Sequence, residues 1–240
     1  MDAGRAEVKQ VAEWYWAGWA LFKENPAIWV LFTLIWVALA FFLLPIPLIG
    51  PIAWWVMTPV LYAGYLLAAR ELEHGRTPVL RHLFQGLLEK DQRRRLLTIG
   101  VVTLAALVIL FMVLGAGSQM GGGAIDPDYG RTLAEWLNLF LRVLLVAMVS
   151  GVSGMGLIYS VPLVLFTPIE GIEAVMTSFE ACWSNRRVVL AFFGVFMVLA
   201  LGAVLTLGLG FLVVMPVAYC ASYQSYKSLF AEPEGVPEGV

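Results

Sequence analysis

Apolar positions along the chain fall into two kinds of segment, and the two alternate. Short stretches carry them at i, i+3, i+4 and i+7: Val8, Val11, Tyr15, Trp19 and Phe22; then Leu80, Leu83, Phe84, Leu87 and Leu88; then Ile172, Val175, Met176, Phe179, Cys182 and Trp183. That spacing draws a stripe down one helix face, while Glu7, Lys9, Glu173 and Glu180 fall off it. Each stripe is followed by two long apolar runs. A run of about 20 residues crosses a hydrocarbon core of about 30 Å. The runs predict six membrane helices at about 26–44, 51–71, 96–115, 143–166, 187–207 and 210–229. The stripes predict three helices lying on one membrane face, at 5–24, 77–90 and 170–184.

Local signals set the boundaries. Asn25-Pro26 reads as an N-cap followed by proline at the first helical position, and Asn185 and Asp91 stand where caps of two further helices belong. Prolines 45, 47 and 51 make a short, stiff turn, and Gly208 and Gly210 break the last pair of runs. Residues 116–131, AGSQMGGGAIDPDYGR, read as a mobile loop, and 132–141 as an interfacial start to the fourth membrane helix. The acidic, proline-rich tail 231–240 reads as disordered.

The pattern also repeats. PVLYAGY at 59–65 and PVAYCASY at 216–223 match position by position, with SVPLVLF at 160–166 as a weaker third copy. The expected fold is therefore all-α: one integral membrane domain over 1–230. It is a six-helix bundle of three parallel units (about 5–71, 77–166 and 170–229), each an interfacial helix plus a membrane hairpin.

Composition agrees. The chain is 60% hydrophobic and 13% charged, about half the charge of a soluble domain. Packing rather than water exclusion must then hold the helices together, and the small residues of SGVSGMG at 150–156 allow close approach. A net charge of −2 gives no sign of nucleic-acid binding. Cys182 and Cys220 are too few for a disulfide framework and read as free thiols. The N-terminus lacks the features of a cleaved secretory signal, so the first apolar run is expected to stay as a membrane helix. In the six-helix topology every Lys and Arg falls on one side except Arg131 and Arg142. The positive-inside rule makes that side cytoplasmic, with both termini there.

Candidate chemistry is sparse. Pro59, Pro162 and Pro216 each remove a backbone N–H and free the carbonyl four residues earlier, on Trp55, Ile158 and Leu212. Equivalent kinks can converge, which gives a candidate central site of Pro59, Pro162, Pro216, Tyr62 and Tyr219, with helices 2, 4 and 6 inside and 1, 3 and 5 outside. The competing reading is that these prolines only bend helices for packing. Arg142 is the candidate charged membrane residue, snorkelling near Glu135 and Asp128. Arg93, Arg94, Arg95, Arg186 and Arg187 are candidate lipid-headgroup contacts. Tyr62, Tyr65, Tyr219, Tyr223 and Tyr226 fit an aromatic belt. His74 and His82 lack Cys or carboxylates at ligand spacing, and no Ser-His-Asp or Cys-His set and no phosphate-binding glycine loop occurs. No metal, cofactor or enzymatic activity is expected.

The motifs GWALFKENPAIW, LLAARELEHG, HLFQGLL, EAVMTSFEACWSN and MPVAYCASYQSYKSLF resemble an uncharacterised family of six-helix proteobacterial inner-membrane proteins. The pattern is also similar to the membrane portion fused to some glycerophosphoryl diester phosphodiesterases, whose catalytic domain has no counterpart here. The resemblance implies a multi-pass protein of the bacterial inner membrane without an assigned activity. Sequence and resemblance together lead to the expectation of a non-catalytic, lipid-associating envelope protein or an accessory subunit of a membrane complex. The partners would be membrane lipids and other membrane proteins, not nucleic acid. The alternative is a transporter of a small or amphiphilic molecule through the proline-lined centre.

Overall fold

The computed structural model describes residues 4–119, 136–137, 140–141 and 154–230. The described residues are helical, with helix α1 at Gln10–Glu24, α2 at Pro26–Leu43 and α3 at Ile49–Glu73. A 3-10 turn, Leu80–Phe84, runs directly into one α-helical turn, α4, at Gln85–Leu88. Then come α5 at Lys90–Gln119, α6 at Ser160–Phe166 closing the apolar stretch Gly154–Phe166, α7 at Gly171–Ser184, α8 at Arg186–Leu205 and α9 at Phe211–Phe230. Arg142, Asp128, Glu135, most of the 116–131 loop and the tail 231–240 lie outside the described residues, as does most of the predicted start of the fourth helix.

Among the described residues, α2, α3 and α8 are long and apolar enough to cross a membrane. The expectation of six such spans is met in part. In α9, 20 residues long, the first half is apolar, but the second carries Ser222, Gln224, Ser225 and Lys227, because that half packs against protein. The three spans differ in surroundings: 61% of the most apolar stretch of α3 is buried, against 17% in α2 and 22% in α8. Leu31, Leu34, Val37, Phe41 and Phe42 of α2, and Leu190, Met197, Val198 and Leu201 of α8, point outward. Apolar side chains so exposed belong in lipid, while the core follows the other helices.

Start signals hold at one asparagine and fail at another. The Asn25 side chain accepts the Ile28 N–H (3.3 Å), capping α2 as its sequence predicts. Asn185 makes no such cap. Its amide instead accepts from Ala6 N (3.0 Å) and donates to Gly4 O (3.1 Å) and Ala181 O (3.0 Å), pinning the chain start to the α7–α8 junction. Asp91 lies in the first turn of α5 and not before it.

The three predicted surface helices take three different forms. α1 runs along α9 in the most extensive helix–helix contact among the described residues. A Cβ at Gly18 would stand 2.7 Å from Val217 O and 2.8 Å from Ala221 N, so only glycine permits this approach. The 77–90 segment is not one helix: its backbone lies directly on α3, where a Cβ at Gly64 would sit 2.5 Å from Leu83 Cα, and that seat leaves room for two short turns. α7 forms as expected, but its buried face is Gly171, Ala174, Ser178, Ala181 and Cys182. Of the predicted stripe, Ile172, Met176, Phe179 and Trp183 face outward.

Candidate functional site

Pro162 has no N–H to offer, so the carbonyl of Ile158, one turn back, loses its donor. The Tyr62 hydroxyl of α3 donates to that carbonyl at 3.1 Å. A phenol has one proton, so the close contact between Tyr62 Oη and Ser222 Oγ must be a bond donated by the serine. Three helices meet in this pair of bonds. Tyr62 lies one turn after Pro59, Ile158 one turn before Pro162, and the Tyr219 ring, one turn after Pro216, is 5.0 Å from the Tyr62 ring. Pro59, Pro162 and Pro216 are all buried. The structure thus brings Tyr62 and Tyr219 together with the carbonyl that Pro162 frees. The kinks are not equivalent, since among the described residues no side chain donates to the freed carbonyls of Trp55 or Leu212.

The stretch Gly154–Phe166 breaks a second time, at Tyr159. The Tyr159 N–H donates to Ser178 Oγ (3.1 Å), and Ser178 donates on to Met155 O (2.7 Å). A hydroxyl from α7 therefore occupies the missing rung of the ladder, a recognised cause of helix bending. Cys182 Sγ approaches the same carbonyl at 3.5 Å. Ser225 Oγ lies 2.8 Å from Ser222 O and 3.3 Å from Tyr159 Oη. Nearby, Tyr65 donates to Thr33 Oγ1 (3.0 Å), which donates to Trp29 O (3.0 Å), with the Trp29 and Tyr65 rings stacked at 5.9 Å. Sequence reasoning missed Ser178, Ser222 and Ser225. A serine on the small-residue face of an amphipathic helix was the signal available.

Tyr62, Tyr65, Tyr223 and Tyr226 are buried, and Tyr219 is partly so, which corrects the aromatic-belt expectation. Three of their hydroxyls bond within the protein: Tyr62 to Ile158 O, Tyr65 to Thr33 Oγ1 and Tyr223 to Glu73 Oε2 at 2.9 Å. Burying a phenol without a partner is costly, and a freed carbonyl, a threonine and a carboxylate meet these three.

Of the arginines predicted to meet lipid headgroups, two are engaged with protein. Arg94 pairs with Glu170 (2.8 Å), and Arg95 donates to the carbonyls of Thr167 (3.0 Å) and Ile169 (3.1 Å), fastening the segment between α6 and α7. Arg93, Arg186 and Arg187 are exposed. His74 Nδ1 donates to Arg70 O (2.7 Å), and His82 Nδ1 accepts from Val79 N (2.9 Å). Among the described residues no three His, Cys, Asp or Glu side chains converge as a metal site. Cys182 and Cys220 are free and buried. Around Cys182, which lies outside the spanning segments, burial pushes the thiol up to about 12.

In comparisons with known proteins, the chain is 23% identical to a probable inner membrane protein of Burkholderia thailandensis, over 94% of this chain and 93% of that protein. No family model matches, and no solved structure matches. The likeness extends to a membrane protein of no stated activity. These comparisons give no support for the resemblance to the phosphodiesterase membrane portion.

Proposed function

We propose that this chain is a non-catalytic, lipid-associating protein of the bacterial inner membrane. It has six membrane helices in three parallel units and both termini on the cytoplasmic side. The observation that carries this reading is the closed account of polar groups at the centre. Among the described residues, Tyr62, Ser178, Ser222 and the Ile158 carbonyl are spent on one another and on backbone. What faces outward suits lipid. The exposed apolar row of α7 borders a groove of about 340 Å³ lined by Val102, Val175, Met176 and Phe179. At the helix ends nearby, Arg93, Arg186 and Arg187 supply the positive charge that anionic headgroups attract, at about 1 kcal/mol per charge. The inner-membrane relative is in keeping with the setting.

The reading is tested by extracting the protein directly into lipid nanodiscs and measuring co-purifying lipid by mass spectrometry. Enrichment of particular lipids over the bulk membrane is the expected result. A composition equal to bulk would remove the lipid-associating role and leave the accessory-subunit form, whose partners would be membrane proteins. Transport is the second reading, motivated by the meeting of the three proline-bearing helices. It requires water at the centre, and solvent-accessible labelling of a cysteine placed at Ser222 would favour it.

A further inference from the structure

The α3 and α9 helices end side by side, and α6 ends against both. Between them lies a cleft of about 450 Å³, within the range of about 300–1,000 Å³ usual for small-ligand sites. One wall is a neutralised carboxylate. Glu73 Oε1 pairs with Lys227 Nζ at 2.6 Å, Glu73 Oε2 accepts from Tyr223 Oη at 2.9 Å, and Gln224 Nε2 lies 3.4 Å from Oε1. Three donors on one carboxylate leave it little capacity to attract another cation.

Arg70, one turn before Glu73 on α3, also lines the cleft. Its guanidinium lies 5.1 Å from the centre of the Phe166 ring and, among the described residues, forms no ion pair. Three neighbouring cations are paired, Arg76 with Glu71 at 2.6 Å, Arg94 with Glu170 and Lys227 with Glu73, while Arg93, Arg186 and Arg187 lie exposed outside the cleft lining. A guanidinium held over an aromatic ring and paired with no carboxylate keeps N–H donors for a planar or tetrahedral anion. His74 also lines the cleft, but with Nδ1 donating to Arg70 O the Nε2 of the neutral ring is an acceptor, so the donors offered to an anion are those of Arg70. Phe166 and Tyr226, 5.6 Å apart, give the cleft an apolar floor. With Glu73 and Lys227 cancelling, the cleft carries the net positive charge of Arg70.

We propose that this cleft binds a phosphate-type anion, with Arg70 as its principal contact, and that the phosphate is carried by an anionic lipid headgroup. The cleft sits at the basic end of the helices, where α3 and α9 leave the apolar layer, which is the depth of a headgroup. The site rests on the lipid-associating reading and names where and through what group that association occurs.

The test uses the full chain in nanodiscs of phosphatidylcholine with and without phosphatidylglycerol, reading retained lipid by native mass spectrometry and stability by thermal unfolding. The native chain should keep phosphatidylglycerol and unfold at higher temperature in its presence. Arg70→Gln should cut that retention by about fivefold, the loss of one charge contact near the surface. Arg70→Lys should restore part of it, which also shows that the Gln variant's loss is not misfolding. Arg81→Gln, an exposed arginine that does not line the cleft, should leave retention unchanged.

Equal losses in Arg70→Gln and Arg81→Gln would overturn the cleft in favour of diffuse attraction, and so would native-like retention by Arg70→Gln. If the native chain itself retains no anionic lipid, the broader lipid-associating reading fails as well. The phosphate's source is separated in phosphatidylcholine discs. Inorganic phosphate that stabilises the native chain but not Arg70→Gln would assign the cleft to the free anion, and no effect of phosphate keeps it with the headgroup.

Discussion

Pro162 removes a rung from its own helix, and a hydroxyl from another helix fills the gap. The Tyr62–Ile158 bond at 3.1 Å therefore links a local defect to tertiary packing. Tyr62→Phe would leave both the Ile158 carbonyl and Ser222 short of a partner in a site that water does not reach. Leaving a buried group unsatisfied costs about 1–3 kcal/mol, whereas single hydrogen bonds inside membrane bundles average nearer 0.6. With two groups affected, we expect a loss of about 1–2 kcal/mol in thermal or chemical unfolding. Pro162→Ala returns the N–H, so in that background the Phe substitution should cost less than half as much. Additive costs would show that the phenol and the kink are unrelated. Cys182 offers a check of another kind. Its thiol is pushed up to about 12 by burial, above the ordinary value of about 8.5. Between these two values the unfolded chain has lost the proton and the native chain has not. Stability should thus fall as pH rises through that window and be unaffected below it. Cys182→Ala should flatten that part of the profile, and a maleimide at pH 8 should label Cys182 only after unfolding.

At the scale of elements, periodicity identified helices well and their neighbours poorly. The α2 and α8 runs are legible because lipid selects them all round: continuous apolar side chains need no partner to be read. α7 was legible as a helix but not as a packing surface. A period of 3.6 says which residues share a face, and the usual inference that the large apolar face turns inward presumes water outside. Here Ile172, Met176 and Trp183 turn toward the apolar surroundings, and the small face with Ser178 turns to protein. The 77–90 segment misled for a different reason, since its shape follows from the Leu83–Gly64 contact, which lies between elements and leaves no periodic trace. For the candidate site, the prolines were legible from their chemistry, but the serines and the Arg70 cleft depend on which helix ends meet. Glycine contacts make the element scale testable. Gly18→Ala forces a methyl to 2.7 Å from Val217 O on the rigid α1–α9 face, and such overpacking costs about 1–3 kcal/mol. Gly194→Ala in α8 meets nothing within 4 Å and should be neutral or stabilising by about 0.5–1 kcal/mol, through helix propensity alone. A similar effect on melting temperature for both would show that α1 is not seated on α9 as described.

The whole molecule closes on itself. α1 packs on α9, the Leu83 turn packs on α3, and α7 packs against α6, so each of these segments seats on a helix that precedes it in the chain, except the first, which seats on the last. In the three-unit reading proposed above, the surface segment of each would dock on the second membrane helix of the unit before, with the ring completed where the chain start meets the chain end. Gly4 N donates to Leu229 O at 2.8 Å, and Asn185 holds Gly4 and Ala6 in place from a third direction. Topology then matters more than where the chain begins. A circular permutant that joins residue 230 to residue 4 through a short flexible linker, and opens at Gly75–Arg76, keeps every unit whole. It also leaves both new ends exposed, at Gly75 and Arg76. The order of insertion changes to second, third, first, yet no contact described here is cut. We expect the permutant to insert, to elute as a single species from native-like nanodiscs, and to keep Cys182 protected from maleimide at pH 8. Opening instead at Gly18, inside α1, breaks the seat on α9 while adding the same linker, and it should lose both properties. Should the two permutants behave alike, whether both fold or both fail, the ends of the chain would be neighbours without being a joint, and the three units would stack in a row and not in a ring.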